Sequence, residues 1–333
     1  MSRIHQYRES VIGLSYESMK ARVLETAFEL NLFELIGSAT KTASTLAGAL
    51  GAHRDSLELF LNALVSLGFL ASSGNGYSNT KYGLELFIKG KDLYVGDILG
   101  LQARSSEDWL QLKKSVLSGK PIDRPEFFKV ENSEMVRNFA LAMHNTAIGH
   151  AGTLAKKLSL REAKTLLDLG GGPGTFTVHF LKENPGLRAT IFDLPGTLET
   201  TRPLIQDAGL TGRVDFQAGD FNRDEIKGKF DACFLSHIIH GQDEEKNKKL
   251  FVKIFNALHP DGKLIVQDFF LNADKKSPQF PALFALNMLI HTEGGKSYSF
   301  EECESWMKSA GFLTVNRTHL NLPRSISLVI AHK

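Results

Sequence analysis

The sequence predicts an α/β protein in which a doubly wound, mostly parallel sheet follows a mainly helical first half. From about Ser15 to Leu70, apolar residues recur at helical spacing. From Lys164 onward, short β-rich runs alternate with amphipathic helices, which is typical of a doubly wound sheet. A glycine-rich turn joins the first of these strands to the next helix. At roughly 150 residues per domain, the 333-residue chain predicts about two domains.

The composition is that of a globular protein rather than a disordered or fibrous one, with 42% hydrophobic and 23% charged residues. The formal net charge of +2 gives no basic excess, so we expect no nucleic-acid partner. No apolar run approaches the roughly 20 residues of a membrane helix, and no signal peptide is evident. We therefore expect a cytoplasmic protein without a membrane partner. The two cysteines, Cys233 and Cys303, exclude a disulfide framework and a cysteine-based zinc site.

The first half contains the pattern of a winged helix. Two short helices, one over Thr42–Gly51 and one from His53, precede a hairpin whose turn is predicted at Asn75-Gly76. A DNA-recognition helix usually presents several Arg or Lys residues, but the segment His53–Leu67 offers only Arg54. A packing module is therefore favoured over a DNA-binding module. Residues 90–160 are predicted to be mostly helical.

The second half predicts seven strands. Five precede two helices near Phe280–Met288 and Phe300–Ala310, and two more follow. The predicted strands are Thr165–Leu169, Ala189–Phe192, Val214–Gln217, Ala232–Leu235, Lys263–Gln267, Leu313–Arg317 and Ser327–Ala331.

The glycine-rich turn after the first strand reads LLDLGGGPGT over 166–175. Glycines let a backbone approach a ligand closely where a strand meets a helix N-terminus. A dinucleotide fingerprint that begins with Gly170 and Gly172 requires a third glycine at position 175, but this residue is Thr175. The pattern is therefore G-x-G-x-G, which favours a shorter nucleoside ligand over a pyrophosphate.

Two acidic residues follow the next two strands. Asp193 ends the second strand, where a carboxylate accepts hydrogen bonds from ribose hydroxyls. Asp220 follows the third strand, where it is suited to an adenine amine while Phe221 packs on the ring. The alternatives are a helix cap for Asp193 and an ordinary Asx turn for Asp220. Because ligands bind at the carboxyl edge of such sheets, three polar sites there favour a binding function.

The fourth strand ends in SHIIHG, which brings His237 and His240 to the same edge. Two histidines at this spacing suit a metal, but no third histidine or carboxylate lies at local ligand spacing. We therefore expect no metal. His240 is the better candidate general base, and His237 is expected to be structural or to line a cofactor.

Six segments between Lys164 and Phe312 make the resemblance to a known family specific: LLDLGGGPGTF, FDLPG, AGDF, SHIIHGQDEE, ALHPDGKLIVQD and LNMLIHTEGG. Together they resemble the class I S-adenosylmethionine-dependent small-molecule O-methyltransferases of the plant caffeate and acetylserotonin type. The first half is similar to the winged-helix-like dimerisation region of that family. The resemblance implies a homodimer and three segments: a dimerisation domain over 1–105, a helical linker lining the substrate pocket over 106–160, and a Rossmann-like, seven-stranded catalytic domain over 161–333.

The resemblance also implies site residues. The catalytic base of the family falls on His240, and the acid that steadies it falls on Asp268. A second family acid falls on Ser297 and is absent, and Glu293 could replace it only in part. The implied S-adenosylmethionine contacts are Asp168, Gly170, Gly172, Gly174, Asp193, Leu194, Gly219, Asp220, Phe221 and Ser236. The implied substrate contacts are Phe127, Met143, His144, Phe284, Met288 and His291.

The chemistry limits the methyl acceptor. A phenol titrates near 10 and an imidazole near 6.5, so His240 can assist the ionisation of an acidic hydroxyl but not of a saturated alcohol. A phenolic or enolic hydroxyl on a small, aromatic molecule is therefore expected. Two alternatives remain at this point: methylation of carbon on a tetrapyrrole or similar molecule, and a cofactor-sensing regulator that binds DNA.

Overall fold

The computed structural model describes residues 2–123, 133–158 and 160–333 and divides into two compact units, Met1–Ser105 and Ser106–Lys333. The three-segment division predicted from the sequence remains a prediction. The first unit contains α1 (Arg3–Glu29), α2 (Leu32–Ile36), β1 (Lys41–Thr42), α3 (Ala43–Leu50), α4 (Arg54–Ser66), β2 (Leu70–Ser73), β3 (Gly76–Asn79), α5 (Lys81–Leu86) and most of α6 (Gly96–Trp109).

The winged arrangement of the first unit consists of α3, α4 and the β2–β3 hairpin, with β1 paired to β3. Its core is apolar and includes Phe33, Leu46 and Leu61, each no more than 1% exposed. The predicted hairpin turn is shifted by one residue. Ser73 pairs with Gly76, so the two loop residues are Gly74 and Asn75. Gly74 has φ +57°, which a glycine at the first loop position tolerates, whereas Gly76 lies in β3 against the Thr40 side chain.

The second unit has the predicted doubly wound architecture. Its elements are α7 (Leu112–Ser118), α8 (Ser133–Lys157), β4 (Thr165–Leu169), α9 (Thr175–Glu183), β5 (Arg188–Asp193), α10 (Pro195–Asp207), β6 (Val214–Ala218), β7 (Phe230–Ser236), α11 (Glu244–Ala257), β8 (Leu258–Asp268), α12 (Gln279–His291), α13 (Phe300–Ser309), β9 (Thr314–His319) and β10 (Ser327–His332). Three short 3-10 turns cover Thr211–Arg213, Ile239–Gly241 and Pro323–Ser325.

The seven strands lie in the order β6-β5-β4-β7-β8-β10-β9, and only β10 runs antiparallel to its neighbours. The prediction of a mostly parallel seven-stranded sheet is confirmed. Side chains alternate between two buried faces, as expected for strands covered on both sides. On β7, Cys233 packs into the cluster formed with α11 and α13, and Phe234 into the cluster formed with α8, α9 and α10. Both cysteines are buried, free thiols.

Asp231 fixes the starts of the neighbouring strands β4 and β7. Its Oδ2 accepts hydrogen bonds from the backbone N–H groups of Lys164 and Thr165, at 2.8 and 2.9 Å, and from the Thr165 hydroxyl at 3.0 Å. Partial burial opposes ionisation, but these hydrogen bonds outweigh it and lower the pKa of Asp231. The carboxylate therefore stabilises the fold when it is ionised.

We predict that Asp231→Ala lowers the free energy of unfolding by about 1–3 kcal/mol at pH 7, because three donors lose a charged acceptor. A lowered folded-state pKa means that this contribution is present above the unfolded pKa and is lost as the pH falls through the folded value. The difference between wild type and variant should therefore shrink below about pH 4 in urea unfolding. The matched control is Asp215→Ala, which removes an exposed carboxylate on β6 that faces Arg188 at 3.4 Å. An equal loss in both variants would contradict the assignment.

Candidate active site

Four parallel strands end at one edge of the sheet and carry the predicted polar residues there. The glycine-rich turn follows β4, Asp193 ends β5, Asp220 follows β6, and Ser236 ends β7. Because the carboxyl ends of parallel strands meet at one edge, residues far apart in sequence come together.

The glycine-rich turn requires its glycines. Gly170, Gly172 and Gly174 have φ values of +68°, +53° and +73°, which L side chains rarely adopt. A Cβ on Gly170 would also lie 2.5 Å from Ile238 Cδ1. The turn ends at Thr175, the first residue of α9, so the backbone N–H groups of that helix terminus face the same edge.

Asp193 is tied to this turn. Its Oδ2 accepts a hydrogen bond from the Gly172 N–H at 2.8 Å, and its Oδ1 accepts one from the Leu194 N–H at 2.7 Å. Burial raises the pKa of Asp193, and these hydrogen bonds oppose the rise. The backbone therefore orients the carboxylate at the edge of the sheet.

Asp168 lies beneath the turn rather than at its rim. It is 2% exposed, accepts a hydrogen bond from the Thr177 hydroxyl at 2.6 Å, and lies where a Cβ on Gly171 would touch it. Burial raises its pKa to about 7, although the Thr177 bond opposes the shift. Its contact with Thr177 connects β4 to α9 and thereby supports the turn.

Asp220 forms the Asx turn that the sequence left open. Its Oδ1 accepts a hydrogen bond from the Asn222 N–H at 2.9 Å, and its Oδ2 lies 3.5 Å from Arg223. The Gly219 N–H donates to the Asp193 carbonyl at 3.0 Å, and the Phe221 ring lies beside Gly170. The loop after β6 and the glycine-rich turn are therefore direct neighbours.

The half-buried His240 and the buried Asp268 form a pair at the ends of β7 and β8. His240 Nδ1 lies 2.6 Å from Asp268 Oδ1, and the Phe269 N–H donates to the same oxygen at 2.7 Å. Asp268 is 2% exposed. Burial alone would raise its pKa, but the charge of His240, its hydrogen bond and the neighbouring His237 hold the pKa well below the usual range. Within the described ranges, His240 Nε2 has no hydrogen-bond partner.

The turn that carries His240 is held by residues that the sequence reasoning missed. Asn247 Nδ2 donates to the Ile239 carbonyl at 2.9 Å, and the Tyr298 hydroxyl donates to the Gln242 carbonyl at 2.6 Å. Asn247 is fully buried on the apolar side of α11 beside Leu250 and Phe251. An asparagine at a core position of an amphipathic helix was the signal that could have revealed it, since buried polar groups need partners.

The sequence also did not reveal the environment of His237. Its backbone has φ +56°, its Nε2 lies 3.2 Å from Gln267 Nε2, and its Nδ1 lies 3.8 Å from Asp268 Oδ1. Burial lowers the pKa of His237, and the neighbouring Asp268 opposes this shift. Since the Gln267 amide can only donate from Nε2, His237 Nε2 accepts and Nδ1 carries the proton.

The structure supplies the third potential metal ligand that local sequence spacing lacks. Ligand atoms of His237, His240 and Asp268 lie within 4.8 Å of one another. Tetrahedral ligands at about 2.0 Å from an ion stand roughly 3.3 Å apart. The 2.6 Å between His240 Nδ1 and Asp268 Oδ1 is shorter, which is the geometry of a direct hydrogen bond.

Ser297 stands where the resemblance implies a second acid in related enzymes. Ser297 is 4% exposed, and its hydroxyl has no partner among the described residues. Glu293 is exposed and makes no described contact with His240. A Cβ on the nearby Gly295 would lie 2.6 Å from the His240 carbonyl oxygen, so this segment packs directly against the turn of His240. Asp268 is therefore the sole described carboxylate paired with His240.

The predicted substrate contacts fall in different surroundings. The Phe284 ring meets the His240 ring edge-on at 4.8 Å between centroids. His144 Nδ1 lies 2.8 Å from the Thr175 hydroxyl, beside the glycine-rich turn. His291 has both nitrogens engaged, by the Asn287 carbonyl at 2.8 Å and by Asp108 at 3.0 Å. Met143 is half-buried on α8 and Met288 is buried on α12. Phe127 lies outside the described residues.

Comparisons with known proteins identify the family. Residues 112–313 match the O-methyltransferase domain, and residues 12–87 match the O-methyltransferase dimerisation domain. The chain belongs to the O-methyltransferase family. It is an S-adenosylmethionine-dependent methyltransferase, and its first half carries the dimerisation domain of that family. No helix among the described residues is long and apolar enough to cross a membrane.

Three relatives illustrate the similarity. The chain is 30% identical over 325 residues to the tetracenomycin polyketide synthesis 8-O-methyl transferase of Streptomyces glaucescens, covering 96% of this chain and 95% of that protein. It is 29% identical over 318 residues to the 3-hydroxy-5-methyl-1-naphthoate 3-O-methyltransferase of Streptomyces sahachiroi, covering 94% and 92%. The structure of human N-acetylserotonin methyltransferase in complex with S-adenosylmethionine superimposes with a TM-score of 0.89 at 23% identity, covering 100% and 98%. This last likeness supports the fold.

The ionisation of Asp268 is directly measurable. In carbon-13 NMR, we predict that its carboxyl signal stays at the ionised position as the pH falls to about 3.5, because His240 and His237 stabilise the charge. The signal is assigned by its absence from the spectrum of the Asp268→Asn variant. In His240→Ala, the burial of the carboxyl is no longer offset by that partner, and the pKa of Asp268 should rise. Identical titrations in the wild type and in His240→Ala would show that the pair does not set this ionisation.

Proposed function

We propose that this enzyme transfers the methyl group of S-adenosylmethionine to an acidic, phenolic or enolic hydroxyl of a small aromatic molecule, with His240 as general base. The observation that carries the proposal is the 2.6 Å contact between His240 Nδ1 and the buried Asp268 carboxylate. When the carboxylate accepts the Nδ1 proton, Nε2 becomes the basic nitrogen of the imidazole. His240 would then remove the hydroxyl proton through Nε2.

The edge of the sheet fits S-adenosylmethionine, which supplies a methyl group on a positively charged sulfur. The glycine-rich turn admits close approach because Gly170, Gly172 and Gly174 leave no side chain there. The oriented Asp193 carboxylate would accept hydrogen bonds from the ribose hydroxyls. Asp220 and Phe221, beside Gly170, would contact the adenine. Asp168 would support the turn, and Leu194, Gly219 and Ser236 would complete the surrounding wall.

The energetics favour an acidic acceptor. Proton transfer from a phenol near pKa 10 to an imidazole near 6.5 is uphill by about 3.5 units, or roughly 5 kcal/mol. The ionised Asp268 lowers this cost because it stabilises the imidazolium of His240. A nearby sulfonium charge further favours the ionised oxygen of the acceptor. An ordinary alcohol would remain too weak an acid.

An aromatic acceptor is supported by the surroundings of His240. The Phe284 ring stands edge-on to it, and the rings of Phe269 and Phe280 continue this aromatic wall, with centroids 4.7 and 5.9 Å from that of Phe284. Aromatic side chains favour planar, apolar ligands. The relative from Streptomyces sahachiroi is named for methylation of a hydroxyl on a naphthoate ring, which agrees with this proposal.

We predict that His240→Ala lowers turnover by about a hundredfold to ten-thousandfold, the range for removal of an acid–base group. Affinity for S-adenosylhomocysteine, measured by calorimetry, should stay nearly unchanged, because His240 lies outside the proposed cofactor contacts. The deficit should shrink as the pH approaches the pKa of the acceptor, since solvent then supplies the ionised oxygen. Asp268→Asn should show the same pH trend with a smaller deficit.

The control is His259→Ala, which removes an exposed histidine at the start of β8 and should leave turnover unchanged. Wild-type turnover of His240→Ala at neutral pH would contradict the proposal. His291 and His144 would then be the next residues to replace.

We further propose that the enzyme is a homodimer through its first unit. Along α1, Ile4, Tyr7, Val11 and Leu14 are each at least 53% exposed and recur at intervals of three and four residues. Such spacing places them on one helix face, and an exposed apolar stripe of this kind usually marks an interface. The match of residues 12–87 to a dimerisation domain supports the same conclusion.

Leu14→Glu should weaken the dimer, because it places a charge within the apolar stripe. Sedimentation velocity across a micromolar dilution series should show a dimer for the wild type and a shift toward monomer for the variant. Gln6→Glu adds the same charge to α1 outside the stripe and should leave the dimer intact. A fully active wild-type monomer at micromolar concentration would refute the dimer.

A further inference from the structure

Arg324 is a cation at the same edge of the sheet as the proposed base. It lies in the 3-10 turn Pro323–Ser325, immediately before β10. The first residue of β10, Ser327, pairs directly with Asp268 on β8. The turn of Arg324 therefore lies next to the strand end that carries the Asp268 carboxylate.

Helix α12 packs against both the turn that carries His240 and the turn that carries Arg324. It contacts the turn Ile239–Gly241, which carries His240, and also the turn Pro323–Ser325. The Phe284 ring of α12 meets His240 at 4.8 Å. A planar molecule lying against Phe284 with one group at His240 is thus placed to extend another group toward Arg324.

The guanidinium of Arg324 lacks an acidic partner among the residues in the described ranges. Much of the side chain is exposed, but burial of the guanidinium lowers its pKa, and no carboxylate opposes that shift. Its charge contributes to lowering the pKa of His150 on α8 and of His237, so the guanidinium lies within electrostatic range of both imidazoles. Asp268 is already engaged by His240 and by the Phe269 N–H. This positive charge is therefore uncompensated.

The imidazoles of His150 and His237 carry no negative charge that could neutralise Arg324. Burial, together with the charges of His237 and Arg324, lowers the pKa of His150 to about 4, so His150 is neutral at pH 7. His150 is 3% exposed, and its Nε2 has no partner among the described residues. His237 Nδ1 also lacks a hydrogen bond there. Unpartnered buried polar atoms within electrostatic range of an unpaired guanidinium, at the edge of the sheet that carries His240, suit a polar ligand group.

We propose that Arg324 binds a carboxylate on the methyl acceptor, so that the preferred acceptor is a hydroxy-substituted aromatic acid. This inference rests on the proposed function, because it assumes that the acceptor hydroxyl lies at His240. The planar guanidinium donates two parallel hydrogen bonds to a carboxylate, a pairing that a neutral amide cannot reproduce with the same strength. Arg324 thus selects the substrate and takes no part in proton removal.

The test uses hydroxynaphthoic acids and their carboxamides, which match in shape and differ in charge. Calorimetric titration into the full-length protein loaded with S-adenosylhomocysteine reads binding without turnover. We expect at least one acid to bind about ten- to a hundredfold more tightly than its amide. Arg324→Gln should abolish that preference, and Arg324→Lys should retain part of it. Arg161→Gln, which removes an exposed arginine of the same unit, should leave the preference unchanged.

Three other outcomes would each overturn the inference. Equal binding of acids and amides, or no binding of any acid, would show that no carboxylate site exists. Reduced affinity of Arg324→Gln for S-adenosylhomocysteine would show that Arg324 holds the cofactor instead. A similar fall in kcat for acids and amides would show that Arg324 stabilises the reacting oxygen. In every case, methylation of a neutral phenol by the wild type would leave the proposed function intact.

Discussion

The site depends on one buried carboxylate that must stay ionised. Asp268 is almost completely removed from water, which is costly for a charge unless hydrogen bonds and an opposite charge compensate. His240 and the Phe269 N–H both contact its Oδ1, and His237 lies 3.8 Å away. The same arrangement orients His240, so that the stability of the pair and the proposed proton removal have one physical origin.

The parallel sheet brings the two halves of the proposed reaction together. Asp193 and the glycine-rich turn lie at the ends of β4 and β5, while His240 and Asp268 lie at the ends of β7 and β8. Since β4 and β7 are adjacent in the sheet, the glycine-rich turn and the strand end leading to His240 are neighbours, and Ile238 lies against Gly170. Among the described carboxylates, only Asp268 is paired with His240, so we expect the orientation of His240 to depend on Asp268.

The sequence predicted the sheet well because each strand has its own apolar pattern and each ends in polar residues at one edge. All seven predicted strands are present, and the strand ends correctly indicated Asp193, Asp220 and His240 as neighbours of one edge. The hairpin turn was wrong by one residue because Asn-Gly and Gly-Asn both suit a two-residue loop, and the packing of Gly76 against Thr40 decides between them. Contacts between distant segments, such as His237 with Asp268 and His291 with Asp108, follow from strand order and helix packing. Local spacing does not contain that information.

We propose above that the His240–Asp268 pair directs methyl transfer to an acidic hydroxyl oxygen. The most direct measurement is to incubate the protein with carbon-13 methyl-labelled S-adenosylmethionine and a panel of phenols and enols, and to examine the products by mass spectrometry and carbon-13 NMR. We expect labelled methyl ethers from acidic hydroxyls and none from saturated alcohols. Label on carbon, or equal labelling of saturated alcohols, would contradict it.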